Sequence, residues 1–232
     1  PAQEIHKDLQ IVCWMQRHFN DDALLSNSGN KFLDLPSGSK IGTSSIRRRA
    51  QILRLRKDLS VRLLRGNVDT RINQLRAKKY DAIILSLAGL QKLNLENNVT
   101  EVLSQDDFSP AACQGVVGIQ ARKENIFANL FKKINDLKTQ TECKAERRVL
   151  KIINANCNSP ISVVSKITND QIQIKVQLLN HTGETIFFKT YNDSVNKYEH
   201  LTDAIGNEIM SEVGKKQIEQ LNELEHDFDY TP

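Results

Sequence analysis

The sequence predicts an α/β fold in which a parallel sheet is followed by a small α+β domain, and three observations carry that prediction. Between residues 40 and 93, three short apolar runs (Lys40-Ile41, Val61 to Leu64, Ala82 to Leu85) alternate with two basic stretches of helical period. Strands and helices alternating at this spacing form right-handed βαβ units, and hence a parallel sheet. Each run also ends in a polar corner: Gly42-Thr43-Ser44-Ser45, then Arg65-Gly66-Asn67, then Ser86 to Gly89. Ligands on open α/β sheets bind outside the carboxyl ends of the strands, so the three corners are expected to converge on one site. The last third of the chain changes character. Ile161 to Ser165, Ile172 to Leu179 and Thr185 to Tyr191 are separated by the turn-rich segments Thr168 to Gln171 and Asn180 to Glu184. They read as a three-stranded antiparallel sheet.

The remaining elements follow in order. Leu9 to Met15 is an extended apolar run that reads as a strand, and Ser26 to Asn30 is a loop. Pro36 to Ser39 is a turn that feeds the first parallel strand. Ile46, Ile52, Leu53 and Leu55 suit one helix, and Ile72 and Leu75 the next. Gln114 to Ile119 is a short apolar strand. Asn125 to Leu150 is helical by the period of Ile126, Leu130, Ile134, Leu137, Ala145, Val149 and Leu150. Asp203 onward reads as a long amphipathic helix with Leu201, Ile205, Ile209 and Val213 on one stripe, and the tail to Pro232 as loosely ordered.

Composition narrows the function classes. A chain of 232 residues with 39% hydrophobic and 26% charged residues is an ordinary globular protein with room for two cores. The formal charge of +4 is concentrated in the first half, which a local anionic pocket explains as well as nucleic acid does. Only 6% of residues are aromatic and none interleave with the basic ones, which argues against nucleic acid. No run reaches the length of a membrane span. Cys13, Cys113, Cys143 and Cys157 lie far apart without metal-ligand spacing, the pattern of free thiols in a reducing compartment, so the cytoplasm is expected. His6, His18, His181, His200 and His226 pair with no Cys or Asp at catalytic spacing, so no metal site is expected.

The corners specify a ligand class. Thr43, Ser44 and Ser45 offer hydroxyls and a helix cap at a point where free N–H groups gather. Arg47, Arg48, Arg65 and Arg71 stand at or just beyond the corners, and guanidinium groups there suit carboxylate or phosphate. Arg49, Arg54, Arg56, Arg62 and Arg76 read as solvated helix faces. Cys157, in the loop Asn154 to Pro160, reads first as a small buried apolar side chain. Its polar surroundings also suit an accessible thiol.

GTSSIRRRAQ, LRGNVDTRINQL and YDAIILSLAGLQKL resemble the second domain of hydroxymethylbilane synthase, also called porphobilinogen deaminase. SPAACQGVVGIQAR, AERRVL and NCNSPIS resemble later segments of that family in the same order, so the likeness runs from about Leu9 to Lys166. It implies a periplasmic-binding-protein-like α/β domain over residues 16–112 and a strand of the first domain over 113–123. A cofactor-bearing α+β domain would span 124–232, and residues 1–15 would be a remnant of the first domain. Pro1 would follow the family's catalytic aspartate, so no catalytic residue is assigned here and the chain alone is expected not to be an active synthase. The resemblance further implies a dipyrromethane cofactor held by a thioether to Cys157, a cysteine followed three residues later by Pro160.

Porphobilinogen units would then add head to tail with loss of ammonia to give hydroxymethylbilane. Thr43, Ser45, Arg47 and Arg48 would meet cofactor carboxylates. Arg65, Asn67, Arg71, Ser86, Lys92 and Gln114 would meet substrate. Lys92 replaces a usual arginine, Cys113 a glycine and Gln120 a glutamate, while Ala155 and Asn156 replace glycines. The implied partner is the small molecule alone, without nucleic acid or membrane. The chain would act as a monomer or with a partner chain supplying the missing domain. The alternative reading is a non-catalytic module that binds carboxylate or phosphate.

Overall fold

The computed structural model of the chain describes residues 7–124 and 128–223. Its central element is a five-stranded mixed sheet in the order β4-β3-β5-β2-β6. These strands are β2 (Asp22–Ser26), β3 (Lys40–Thr43), β4 (Ser60–Leu63), β5 (Ala82–Ser86) and β6 (Glu101–Val102). β3 runs parallel to both β4 and β5, as the alternation of apolar runs and basic helices requires. β2 is antiparallel to both β5 and β6.

Helix α1 (Ile46–Leu55) connects β3 to β4, and α2 (Val68–Arg76) connects β4 to β5. The first crossover steps from β3 to β4, and the second steps back the opposite way along the sheet, from β4 past β3 to β5. Right-handed connection therefore places the helices on opposite faces. Two separate cores bear this out. Leu24, Ile41, Ala82 and Ile84 pack with Ile52 of α1. The alternate residues Ala23, Leu25, Ile83 and Leu85 pack with Ile72 and Leu75 of α2 and Leu90 of α3 (Leu87–Lys92). Successive strand residues point to opposite faces, so near-continuous apolar runs are what a sheet covered on both sides demands.

The second sheet is antiparallel, in the order β10-β9-β8, from β8 (Ile161–Thr168), β9 (Gln171–Leu179) and β10 (Thr185–Ser194). It shares a core with α5 (Leu137–Ile152), α6 (Tyr198–Glu212) and α7 (Lys215–Asn222). The sheet docks on α1 through the β9–β10 turn. Gly183 there adopts φ +89°, and a Cβ at that position would lie 2.4 Å from the Arg54 backbone nitrogen. Gln51 of α1 donates to Gln177 of β9 at 2.9 Å across the same junction.

Three expectations are corrected. The strand anticipated at Gln114 to Ile119 is β7 (Gly118–Arg122), because residues 111–116 instead form turns, with Cys113 at φ +59° and Gly115 at φ +80°. β7 pairs antiparallel with β1 (Leu9–Trp14) in a two-stranded ribbon. The helix anticipated from Asn125 to Leu150 is divided into α4 (Ala128–Phe131), a 3-10 turn (Lys132–Ile134) and α5. It breaks where the Asp136 side chain accepts from the Thr139 N–H and starts α5 afresh. The last helix begins at Tyr198 and is interrupted by Gly214 at φ +85°. The readings at Pro1, His6, Asn125, Ile126, His226 and the tail lie outside the described residues.

Candidate active site

Parallel pairing puts the ends of β3, β4 and β5 at one edge of the sheet, and antiparallel β2 begins at that edge with Asp22 directly opposite Ser86. Ser45 caps α1 by accepting from the Arg48 N–H at 3.3 Å. Asn67 caps α2 by accepting from the Thr70 N–H at 2.8 Å. The caps orient the first turns of α1 and α2, from which Arg47, Arg48 and Arg71 project.

Asp22 organises the corner. It is wholly buried, its Oδ1 accepts from Arg48 Nη2 at 2.7 Å, and its Oδ2 lies 2.9 Å from Arg47 Nη1. Burial alone would raise its carboxyl, but Arg47 and Arg48 outweigh that and hold it at about 2. Arg47 also donates to Gln51, to the Ser109 carbonyl at 2.7 Å and to Gln114 at 3.1 Å. Arg48 donates to the Ile84 carbonyl at 3.1 Å. Gln114 completes the ring by donating to Asp22 and to the Asn20 carbonyl, both at 2.7 Å. Arg71 donates to the Gly66 carbonyl at 2.8 Å, and burial together with Arg48 depresses its pKa. Two guanidinium groups share one carboxylate and a third, that of Arg71, stands near Arg48, which leaves the corner with excess positive charge. The Nε atoms of Arg47 and Arg48 are buried without a hydrogen-bond partner.

The structure thus brings Arg47, Arg48, Gln114 and Ser86 together around Asp22, with Arg71 close enough to Arg48 to feel its charge. Thr43 is fully buried and its hydroxyl accepts from the Ser45 N–H at 3.2 Å, so it shapes the corner from inside. Arg65 and Lys92 are exposed at the ends of their elements. Asp22 escaped the sequence reading, although an acidic residue directly before the apolar run Ala23 to Leu25 is a detectable signal.

Cys157 is exposed. Ser159 N–H donates to the Asn156 carbonyl at 3.2 Å, closing a turn that has Cys157 at its second position. The Asn156 side chain accepts from the Asn158 N–H at 2.7 Å. Asn154 takes the left-handed conformation, with φ +54°, one step before the two positions where glycines were expected. The thiol is therefore presented to solvent, and the burial suggested by residue type alone is corrected. Its loop connects to the arginine corner. Ser162, five residues on, donates to Ser109 Oγ at 2.7 Å, and Arg47 holds the Ser109 carbonyl. At roughly 3.5 Å per residue, Cys157 lies within about 18 Å of that junction.

A second buried cluster braces the interior. Glu146, fully buried, accepts from Arg17 at 2.9 Å, from the Ser165 N–H at 2.9 Å and hydroxyl at 3.1 Å, and from the Cys113 N–H at 2.6 Å. Cys113, Cys143 and Glu146 hold ligand-type atoms within 4.8 Å of one another, a grouping their spacing gave no means of seeing. Four donors already occupy the carboxylate, so its role is structural. Glu146→Gln should cost about 2 kcal/mol, because Arg17 then loses one of its two buried partners. Urea denaturation checks this, and an unchanged midpoint would contradict it.

Comparison with known proteins identifies the assembly. Residues 2–129 match the family described as porphobilinogen deaminase, dipyromethane cofactor binding domain, and residues 140–211 match porphobilinogen deaminase, C-terminal domain. The chain belongs to the porphobilinogen deaminase family. It is a transferase of tetrapyrrole synthesis, of the hydroxymethylbilane synthase type, with dipyrromethane as cofactor. The porphobilinogen deaminase of Carboxydothermus hydrogenoformans is 34% identical over 92% of this chain and 69% of its own length. That of Campylobacter jejuni subsp. doylei is 34% identical over 93% and 71%, and that of Orientia tsutsugamushi 39% identical over 83% and 64%. An arginine-specific periplasmic binding protein of Salmonella typhimurium aligns over 53% of this chain and 55% of its own at 20% identity. Its TM-score of 0.34 is too low to argue from. Among the described residues, no helix is long and apolar enough to cross a membrane.

Proposed function

We propose that Cys157 carries the dipyrromethane of this family and that the corner around Asp22 receives the carboxylates of porphobilinogen and of the growing chain. The observation that carries the reading is the pair of arginines sharing one aspartate, with Arg71 near Arg48, tied through Ser109 and Ser162 to the strand that follows an exposed thiol. Dipyrromethane, when bound, supplies the primer to which porphobilinogen units add with loss of ammonia. The chain's own residues supply the charge. Arg71, with Arg65 and Lys92 further out, is the arginine placed to meet incoming carboxylates. Arg47 and Arg48 set the field from behind, each already engaged by Asp22. Ser45 and Asn67 act as caps that fix the corners, and Ser86 and Gln114 flank Asp22.

The sheet membership of the strands supports a division into residues 16–112 and 124–232. The separate ribbon of Leu9–Trp14 and Gly118–Arg122 falls within the remaining segments, 1–15 and 113–123. Four free thiols support a cytoplasmic setting. The partner is the small molecule, bound by a monomer or together with a chain contributing family segments not contained in these 232 residues.

Calorimetric titration with porphobilinogen tests the corner. Arg71→Ala should weaken binding about tenfold, the scale of one charge-assisted contact. Arg76→Ala, a turn further along α2 and hydrogen-bonded to Asn98, should change it less than about twofold. Equal losses in both variants would refute a specific corner.

A further inference from the structure

The cysteine loop is held from outside itself. Helix α7 is fixed to the core by Ile218 and Leu221, and it ends at Asn222, whose carbonyl has no helical partner and is free to accept elsewhere. That carbonyl accepts from the side chains of Asn156 and Asn158, both at 3.4 Å. Asn222 Nδ2 donates to the Asn154 carbonyl at 2.9 Å, and its Oδ1 accepts from the Ser159 hydroxyl. Ser159 Oγ in turn accepts from the Asn156 N–H at 2.9 Å. One residue thus binds the turn on both sides of Cys157. It stands eleven positions beyond the stretch that matches the family's C-terminal domain, which ends at residue 211.

We propose that Asn222 is a positioning residue for Cys157, a clasp on the end of α7 that keeps the thiol-bearing turn closed while cofactor is attached. The inference rests on the assignment of dipyrromethane to Cys157. An open turn would let an exposed thiol sample many orientations, whereas attachment needs it aimed at one. Asn222→Ala deletes both side-chain bonds but leaves the helix end and its carbonyl in place. Asn222→Asp keeps the acceptor for Ser159 and loses the donor to Asn154.

The full chain, made in cells that supply porphobilinogen, is compared as wild type, Asn222→Ala and Asn222→Asp. Three quantities are measured: hydrogen exchange of the amides of residues 156–159, the fraction of Cys157 carrying an added mass, and the melting temperature. In Asn222→Ala the amides should exchange about tenfold faster, reflecting two lost hydrogen bonds. The modified fraction should fall at least about fivefold while melting shifts little. Asn222→Asp should lie between, and it carries the test if the alanine variant does not fold. Unchanged exchange overturns the clasp, and so does faster exchange with an undiminished modified fraction. Wild-type protein with Cys157 unmodified would place the fault with the cofactor assignment, and exchange would still decide whether Asn222 holds the loop.

Discussion

Asp22→Asn is expected to destabilise the protein by about 3–5 kcal/mol, the range for removing one partner of a buried ion pair. The asparagine has nearly the same shape, so the loss is one of charge. Arg47 and Arg48, 5% and 9% exposed, would be left together in the interior with no counter-ion. At this chain length the melting temperature should fall by about 10 °C. A pH signature separates this from a packing defect. The Asp22 carboxyl is held at about 2 in the folded protein, against about 3.9 when unfolded. Its contribution is therefore complete above about pH 4 and is lost as the pH falls through about 2. Wild type should lose about 1 kcal/mol more than Asp22→Asn between pH 5 and pH 3, and about 2–3 kcal/mol more once the pH is below about 2. Urea denaturation at pH 5 and pH 3 checks the difference, and parallel pH curves would mean that Asp22 is not the shared counter-ion.

Cys157→Ala is expected to have the opposite profile, with no effect on the fold and a complete effect on chemistry. The side chain is exposed at a turn and makes no packing contribution, so stability should change by less than about 0.5 kcal/mol. Cofactor attachment has no substitute nucleophile. Cys13 and Cys143 are buried, and Cys113 donates weakly to the Cys143 carbonyl at 3.8 Å beside Glu146. Burial pushes the Cys13 thiol up, and Cys113 and burial push Cys143 up, so both resist forming thiolate. Cofactor loading in this variant should fall to background with its melting curve superimposable on wild type.

The corners were legible because local sequence makes them. A strand ends where Gly42-Thr43 gives way to Ser44-Ser45, and the hydroxyl that caps α1 sits beside the arginines it orients. The alternation of residues between two cores follows from apolar runs too continuous for a half-exposed sheet. What sequence did not yield depends on partners distant along the chain. Asp22 meets Arg48 across 26 residues because antiparallel β2 inserts between β5 and β6. Nothing in the basic repeats announces that insertion. Thr43 looked like a ligand-facing hydroxyl because period alone cannot tell the rim of a corner from its interior. Glu146 lay unnoticed in AERRVL, beside the arginines Arg147 and Arg148. Of those, Arg148 pairs with Asp203 at 2.8 Å on the surface. The helix breaks at Asp136 and Gly214 were single-residue events inside otherwise periodic stretches.

The most direct test of the account is the intact mass of wild type and Cys157→Ala, both made where porphobilinogen is available, followed by peptide mapping. The account predicts an added mass of two linked pyrroles on the Cys157 peptide of wild type alone. The same addition in both proteins, or on Cys13, Cys113 or Cys143, would contradict it, as would an unmodified wild type.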